Sequence, residues 1–248
     1  MTAPAVEEPA VAAPCGAAAI PGRVLLRMAE AVVPHAAEEA YSPGLMAVQW
    51  EIRGGALWLA ATDTRTLAAA RCPASIGSAD GGPVLLPASA TMRLARTAAS
   101  AGAALTLVRV DAQALAVTVQ AGNGQLRDAQ WPLPPARHEA ADWRQVLGGL
   151  LAGPPEQASA LTAESWLLSR FRVRSALADQ VSGGWPARLR LEPRTHAGTG
   201  VRAWVVRCED WFIGAILTGG PSRGPAAAGD GQWTQWISDG TSTEEEAS

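Results

Sequence analysis

Between residues 20 and 135 the chain runs twice through the same order, a segment of helical period followed by three strand-like runs, and this repeat limits what it can fold into. Residues 23–33 (RVLLRMAEAVV) place Leu25, Met28, Ala29 and Val32 at the i, i+3, i+4, i+7 spacing of one helical face. Arg23 and Arg27 fall on the opposite face, with Glu30 beside them. Three strand-like runs follow: LMAVQWEI (45–52), ALWLAA (56–61) after a Gly54-Gly55 turn, and TLAAARC (66–72). VLL (84–86) then leads through Pro87, a good first-turn residue, into ASATMRLARTAAS. Leu94, Ala98 and Ala101 share a face of this second helix, while Arg93 and Arg96 point the other way. Strands return at ALTLVRV (104–110), LAVTVQ and QLRDAQW (125–131). One helix and three strands, twice, predicts an α+β domain with helices packed on antiparallel sheets and internal pseudo-symmetry.

A chain of 248 residues suffices for one large domain or two ordinary ones. Residues 1–19 are Ala/Pro-rich without apolar periodicity and read as a disordered leader. The repeat and its closing segment fill 20–149 as one domain. LLAGPPEQASA (150–160) is the expected linker, because Gly153-Pro154-Pro155 breaks any element. A shorter folded unit is expected over 161–220 and a disordered acidic tail over 221–248, although Trp233 and Trp236 give that tail something to dock. The net charge is −3 and all 20 basic residues are Arg, so arginine itself carries less meaning than usual. Three scattered cysteines without a CxxC argue against a disulfide framework. The first residues lack a basic n-region, and no uncharged run approaches the length of a membrane span. The expectation is a cytoplasmic protein with no membrane association.

The run from Ile20 to Leu147 resembles the middle domain of the bacterial sliding clamp, the β subunit of DNA polymerase III. The resemblance rests on IPGRVLLRMAEAVV, on GLMAVQWEIRGGALWLAATDTRTLA, on VLLPASATMRLA and on the closing WPLPPARHEAADWRQVL. Its most specific piece is Ala61-Thr62-Asp63 with Leu67. Where the family continues with Gly-His-Arg, this chain has Thr64, Arg65 and Thr66. ESWLLSRFRVRSALADQVSGGWPARLRLEP and VRAWVVRCEDWFIGAILTGG resemble part of the clamp's last domain, with Ile216 to Gly220 in place of the family's Met-Pro-x-Arg-Leu. The resemblance implies a DNA-clamp fold whose two helices line a pore, where Arg23, Arg27, Arg93 and Arg96 contact phosphates of double-stranded DNA without reading sequence. It also implies a peptide pocket with Leu45, Thr62, Thr64, Arg65 and Leu67 on one wall and Ile216 and Leu217 on the other. The partners implied are DNA polymerase or other clamp-binding peptides, and further copies of the chain in a homo-oligomer.

Each signal has a plainer reading. The four arginines suit an ordinary solvated helix face, and Thr62-Asp63 an ordinary strand-end turn. Ten Trp fill a core more readily than they mark an interface, although Trp131, Trp143, Trp166, Trp185, Trp204 and Trp211 crowd the later part of the chain. Catalysis has little support. His35, His138 and His196 are isolated, and no HExxH, G-x-S-x-G or P-loop occurs. Cys208 beside Glu209-Asp210 reads as a buried strand cysteine. Neither a cofactor nor a metal is expected. Two functions follow: a non-enzymatic sliding clamp that tethers partners, or a clamp-derived interaction module that does not encircle DNA.

Overall fold

The two segments of helical period form α1 (Gly22–Val32) and α2 (Ala88–Ser100). The computed structural model describes residues 15–38, 43–74, 80–100, 105–111, 116–121, 142–156, 165–171, 173 and 188–221. The expectations for residues 1–14, for QLRDAQW, for Trp131 and Trp185 and for the tail beyond 221 lie outside the described residues. α1 starts on the carbonyl of Pro21, which accepts the amide protons of Val24 and Leu25 at 3.0 and 3.1 Å. It ends before Pro34, which has no amide proton to continue the ladder, and the chain tightens into a 3₁₀ turn over Val33–His35. The buried faces are the expected ones: Leu25, Met28, Ala29 and Val32 on α1, Leu94 and Ala98 on α2. Gly22 is where the helices meet. A Cβ there would stand 2.4 Å from the carbonyl oxygen of Ala98, so the start of α1 lies against the end of α2.

The strands of the repeat are β1 (Cys15–Ile20), β2 (Ala47–Arg53), β3 (Ala56–Thr62), β4 (Thr66–Pro73), β5 (Gly81–Pro87), β6 (Thr106–Asp111) and β7 (Ala116–Ala121). Gly54 and Gly55, at φ 57° and 70°, close the two-residue hairpin between the paired Arg53 and Ala56. β2 begins two residues after its apolar run does, because Pro43–Met46 wind into a 3₁₀ turn. Residues 15–19 correct the expected leader. They belong to β1, which pairs with β6, and Ala18 is fully buried. An alanine run has no strand signal of its own; the partner strand decides.

The pairing is reciprocal. β1 leads the first repeat yet pairs with β6 of the second, and β5 leads the second yet pairs with β2 of the first. Both pairings are antiparallel, and this exchange is the internal pseudo-symmetry. Three strands in the order β1-β6-β7 make one sheet. α1 and α2 share a single core with both sheets, built around Ile20, Met28, Trp50, Leu59, Leu94 and Val108. Trp50 donates its Nε1–H to Thr91 Oγ1 at 3.0 Å, which ties β2 to α2.

Beyond residue 142 the chain returns to the second sheet. β8 (Arg190–Thr195), β9 (Val201–Cys208) and β10 (Phe212–Pro221) extend it to seven strands in the order β5-β2-β3-β4-β10-β9-β8. The residues expected to form a shorter second unit are thus continuous with the first through the β4–β10 ladder. α3 (Trp143–Ala152) is capped by Asp142, whose Oδ1 accepts from the Gln145 amide at 3.0 Å. Its Trp143, Leu147, Leu150 and Leu151 cover the face of the seven-stranded sheet opposite α1 and α2, against Trp58, Leu67, Val205 and Ile213. Short α4 (Ser165–Ser169) follows, and Leu167, Phe171 and Val173 pack into the first core.

Candidate functional site

Two surfaces gather the expected residues. On the helix pair, Arg23, Arg93 and Arg96 are exposed and Arg27 is half-buried, all turned away from the apolar faces that meet the sheets. Glu30 is half-buried on the same helix as Arg23 and Arg27. A guanidinium on such a face keeps its charge and presents several donors outward, as contact with a phosphate chain requires.

The second surface is the turn between β3 and β4. Asp63 organises it. One carboxylate oxygen accepts from the amides of Arg65 and Thr66 at 3.0 and 2.6 Å and from Thr66 Oγ1 at 2.9 Å. The other accepts from Nη1 of Arg170, just after α4. Thr62 Oγ1 donates to the Thr66 carbonyl at 2.8 Å, and Thr64 sits at φ 74°. Burial pushes the Asp63 pKa up, but the Thr66 backbone and hydroxyl, the Arg170 charge and the Arg65 amide outweigh it, and the net shift is downward. A carboxylate held ionised with both oxygens engaged is a turn former and neither acid nor base. Behind it His35 is fully buried, edge-on to Phe171 at 4.5 Å between ring centroids. Burial, and then the charge of Arg170, lower its pKa from 6.5 to about 3.

Beside the turn lies a shallow cleft of about 250 Å³, lined by Gly44, Ala47, Gln49, Ala60, Thr62 and Trp143 among others. That space is largely open to solvent, and its enclosed part is no larger than a water molecule. Thr62 lines it, and half-buried Leu45 follows Gly44 in the chain. Thr64 and Arg65 stand exposed at the corner of the turn. The other expected pocket residues are not brought together, which corrects the two-walled pocket. Leu67 pairs with Ala215 and is 3% exposed under α3, whereas Ile216 pairs with Thr66 and is fully buried in the core of α1 and α2. Successive strand residues face opposite sides, so Leu67 and Ile216 lie on different faces of one sheet. Half-buried Leu217 is on the Leu67 side.

α3 is what the sequence reading missed, although Trp143, Leu147, Leu150 and Leu151 stand at the i, i+4, i+7, i+8 spacing behind a capping Asp142. Gly148-Gly149 concealed it, since glycine weakens a helix interior. Gly149 is explained by His196, whose Nε2 would lie 2.0 Å from an added Cβ. α3 is held by Arg144, which donates Nη1 to Glu51 and stacks on Trp143 at 4.1 Å and Trp58 at 4.9 Å. Burial lowers the Arg144 pKa, the charge and hydrogen bond of Glu51 offset part of this, and the net shift is downward.

Among the described residues no three His, Cys, Asp or Glu side chains gather to hold a metal ion. Burial, and then Glu209, raise the Cys208 thiol to about 11, which keeps it protonated and a poor nucleophile. No described helix is long and apolar enough to cross a membrane.

In sequence, no family model matches the chain and no curated protein does. In structure it is similar to the β subunit of DNA polymerase III from Thermotoga maritima, with a TM-score of 0.51 and 11% identity over 84% of this chain and 66% of that one. It is likewise similar to the DnaN sliding clamp (DNA polymerase III subunit beta) from Bartonella birtlesii bound to griselimycin, with a TM-score of 0.50 and 11% identity over 85% and 67% of the two chains. The chain therefore has the α+β DNA-clamp fold. It spans about two thirds of the length of the clamp subunits it matches.

Proposed function

We propose that the chain is a non-enzymatic, sliding-clamp-like protein of the cytoplasm that engages duplex DNA without sequence preference and tethers partner proteins. The observation that supports this most is the outward row of Arg23, Arg27, Arg93 and Arg96 on a helix pair whose opposite face fills the core. Phosphate contact by such side chains positions a protein while leaving it able to slide. Partner peptides, from a DNA polymerase or another clamp-binding protein, dock on the surface beside the β3–β4 turn, where Leu45, Thr62, Thr64 and Arg65 stand. Tethering works by raising local concentration, so that rebinding outpaces escape. Homo-oligomerisation supplies the closed ring.

A second reading is a clamp-derived interaction module that does not encircle DNA. It is favoured by the burial of Leu67 under the chain's own α3. Retention on circular duplex DNA against salt separates the two. Four neutralised phosphates per chain give a log–log slope of about −3 to −4, and Arg23→Ala with Arg93→Ala is expected to make it shallower by up to about 2. Wild-type protein with no salt-sensitive association leaves the module reading.

A further inference from the structure

α3 is held differently at its two ends. Its C-terminal end is pinned to the β8–β9 hairpin by backbone. The Gly149 carbonyl accepts from the Ala197 amide at 2.9 Å, the Pro154 carbonyl from Thr195 at 3.4 Å and the Pro193 carbonyl from Glu156 at 3.0 Å. The N-terminal half grips the sheet through side chains: Trp143 lies 5.5 Å from Trp58 between ring centroids, and Arg144 donates to Glu51. Between the two stands Gly148, where a Cβ would meet nothing within 4 Å. Packing there has room for alanine, so this glycine weakens the helix where no contact requires it. The Arg144 latch has its own weakness. Its guanidinium is buried, and Nε and Nη2 find no hydrogen-bond partner among the described residues, so release would return them to water. What it would leave behind is provided for. Glu51 keeps Arg53 at 3.6 Å, and Trp58 keeps Arg71 at 5.5 Å from its ring centroid. The core under α1 and α2 lies on the other face of the sheet.

We propose that α3 is a hinged cover, whose segment from Trp143 to Leu147 unwinds at Gly148 and lifts while Gly149 onward stays on the hairpin, and that a partner peptide takes the vacated place. Trp143 lines the shallow cleft beside the β3–β4 turn together with Ala60 and Thr62. Lifting it joins that cleft to the ring face of Trp58 and turns a space for one water into an apolar groove. The closed surface holds an aromatic ring beside a guanidinium, which also stacks on Trp58 at 4.9 Å. The peptide that fits the open surface therefore carries the same pair, an aromatic residue followed by arginine. The cover competes with it inside the molecule, so its apparent affinity falls with the fraction of open chains. The partner's part in this rests on the tethering function proposed above, whereas the opening itself does not.

Native-state hydrogen exchange on the full chain reads the opening. The amides of Leu147 and Gly148 are expected to exchange about tenfold or more faster than those of β3 and β4, with the Ala197 amide slow like the sheet. Gly148→Ala is expected to slow Leu147 about fivefold by restoring helix propensity. Arg144→Ala is expected to quicken it several-fold, and neither variant to change β3 or β4. Exchange of Leu147 and Gly148 in step with β3 and β4 overturns the cover, and so does a wild-type rate in Gly148→Ala. A fluorescently labelled peptide of residues 142–148, DWRQVLG, reads the docking by polarisation. It is expected to bind Arg144→Ala several-fold more tightly than wild type. Local opening without peptide binding supports the hinge and overturns docking at this face, and equal affinity for both chains overturns the gating.

Discussion

His35 is neutral in the fold because its ring is buried beside the Arg170 cation, and this gives the protein an acid weakness of one residue's making. Its pKa falls from 6.5 to about 3, so below pH 6.5 the unfolded chain takes up a proton that the folded one refuses. Stability therefore drops as pH falls from about 6.5 toward 3, by up to about 1.4 kcal/mol per pH unit. His35→Leu is expected to flatten that slope between pH 6 and 4 in urea titrations; a variant with the wild-type slope would remove His35 as the cause. Asp63 acts in a lower window. Its folded pKa lies below 3.8, so its contribution is present above that value and lost as pH falls through the folded one. Leu67 belongs to the same scale. Under α3 it has no route to solvent, and Leu67→Asp would bury an unpaired carboxylate at a cost of about 4 kcal/mol or more. The expected result is a steep loss of the denaturation midpoint, where a rim position would leave it unchanged.

At the scale of elements, the junction of α1 and α2 is the tightest requirement. Gly22→Ala improves local helix propensity by about 1 kcal/mol. The added methyl meets the Ala98 carbonyl 2.4 Å away, however, and backbone does not yield as a side-chain tip does. Overpacking of this kind costs about 1–3 kcal/mol, so the variant is expected to be less stable than wild type. Thermal unfolding reads the sign directly. The Arg144 clasp plays the corresponding part for α3, joining Glu51 of β2 to the start of the helix with Trp58 and Trp143 on either side.

For the whole molecule, ring closure decides between the two functional readings. The described residues hold one reciprocal helix–strand repeat and three further strands. The clamp reading expects a dimer or trimer, at a multiple of 25.6 kDa, with a central hole. Sedimentation equilibrium combined with negative-stain images checks both properties, and a monomer at micromolar concentration would favour the interaction module.

Local pattern determined a good deal by itself. The 3.6-residue spacing of Leu25, Met28, Ala29 and Val32, the Gly54-Gly55 hairpin and Pro87 before α2 are signals within a few residues, and each element formed where it stood. Ala61-Thr62-Asp63 was legible as a turn for the same reason, since Asp63 bonds to amides two and three residues on. Only the tertiary structure decided what these elements meet. The alanines of β1 became a strand because β6 lies alongside. Gly148-Gly149 stayed helical because His196 and the sheet face needed α3 there. Leu67 and Ile216 were separated because neighbouring ladder positions face opposite sides and α3 happens to cover one of them. Propensity acts between near neighbours in the chain, whereas burial is settled by partners that the sequence places about 50 to 150 residues away.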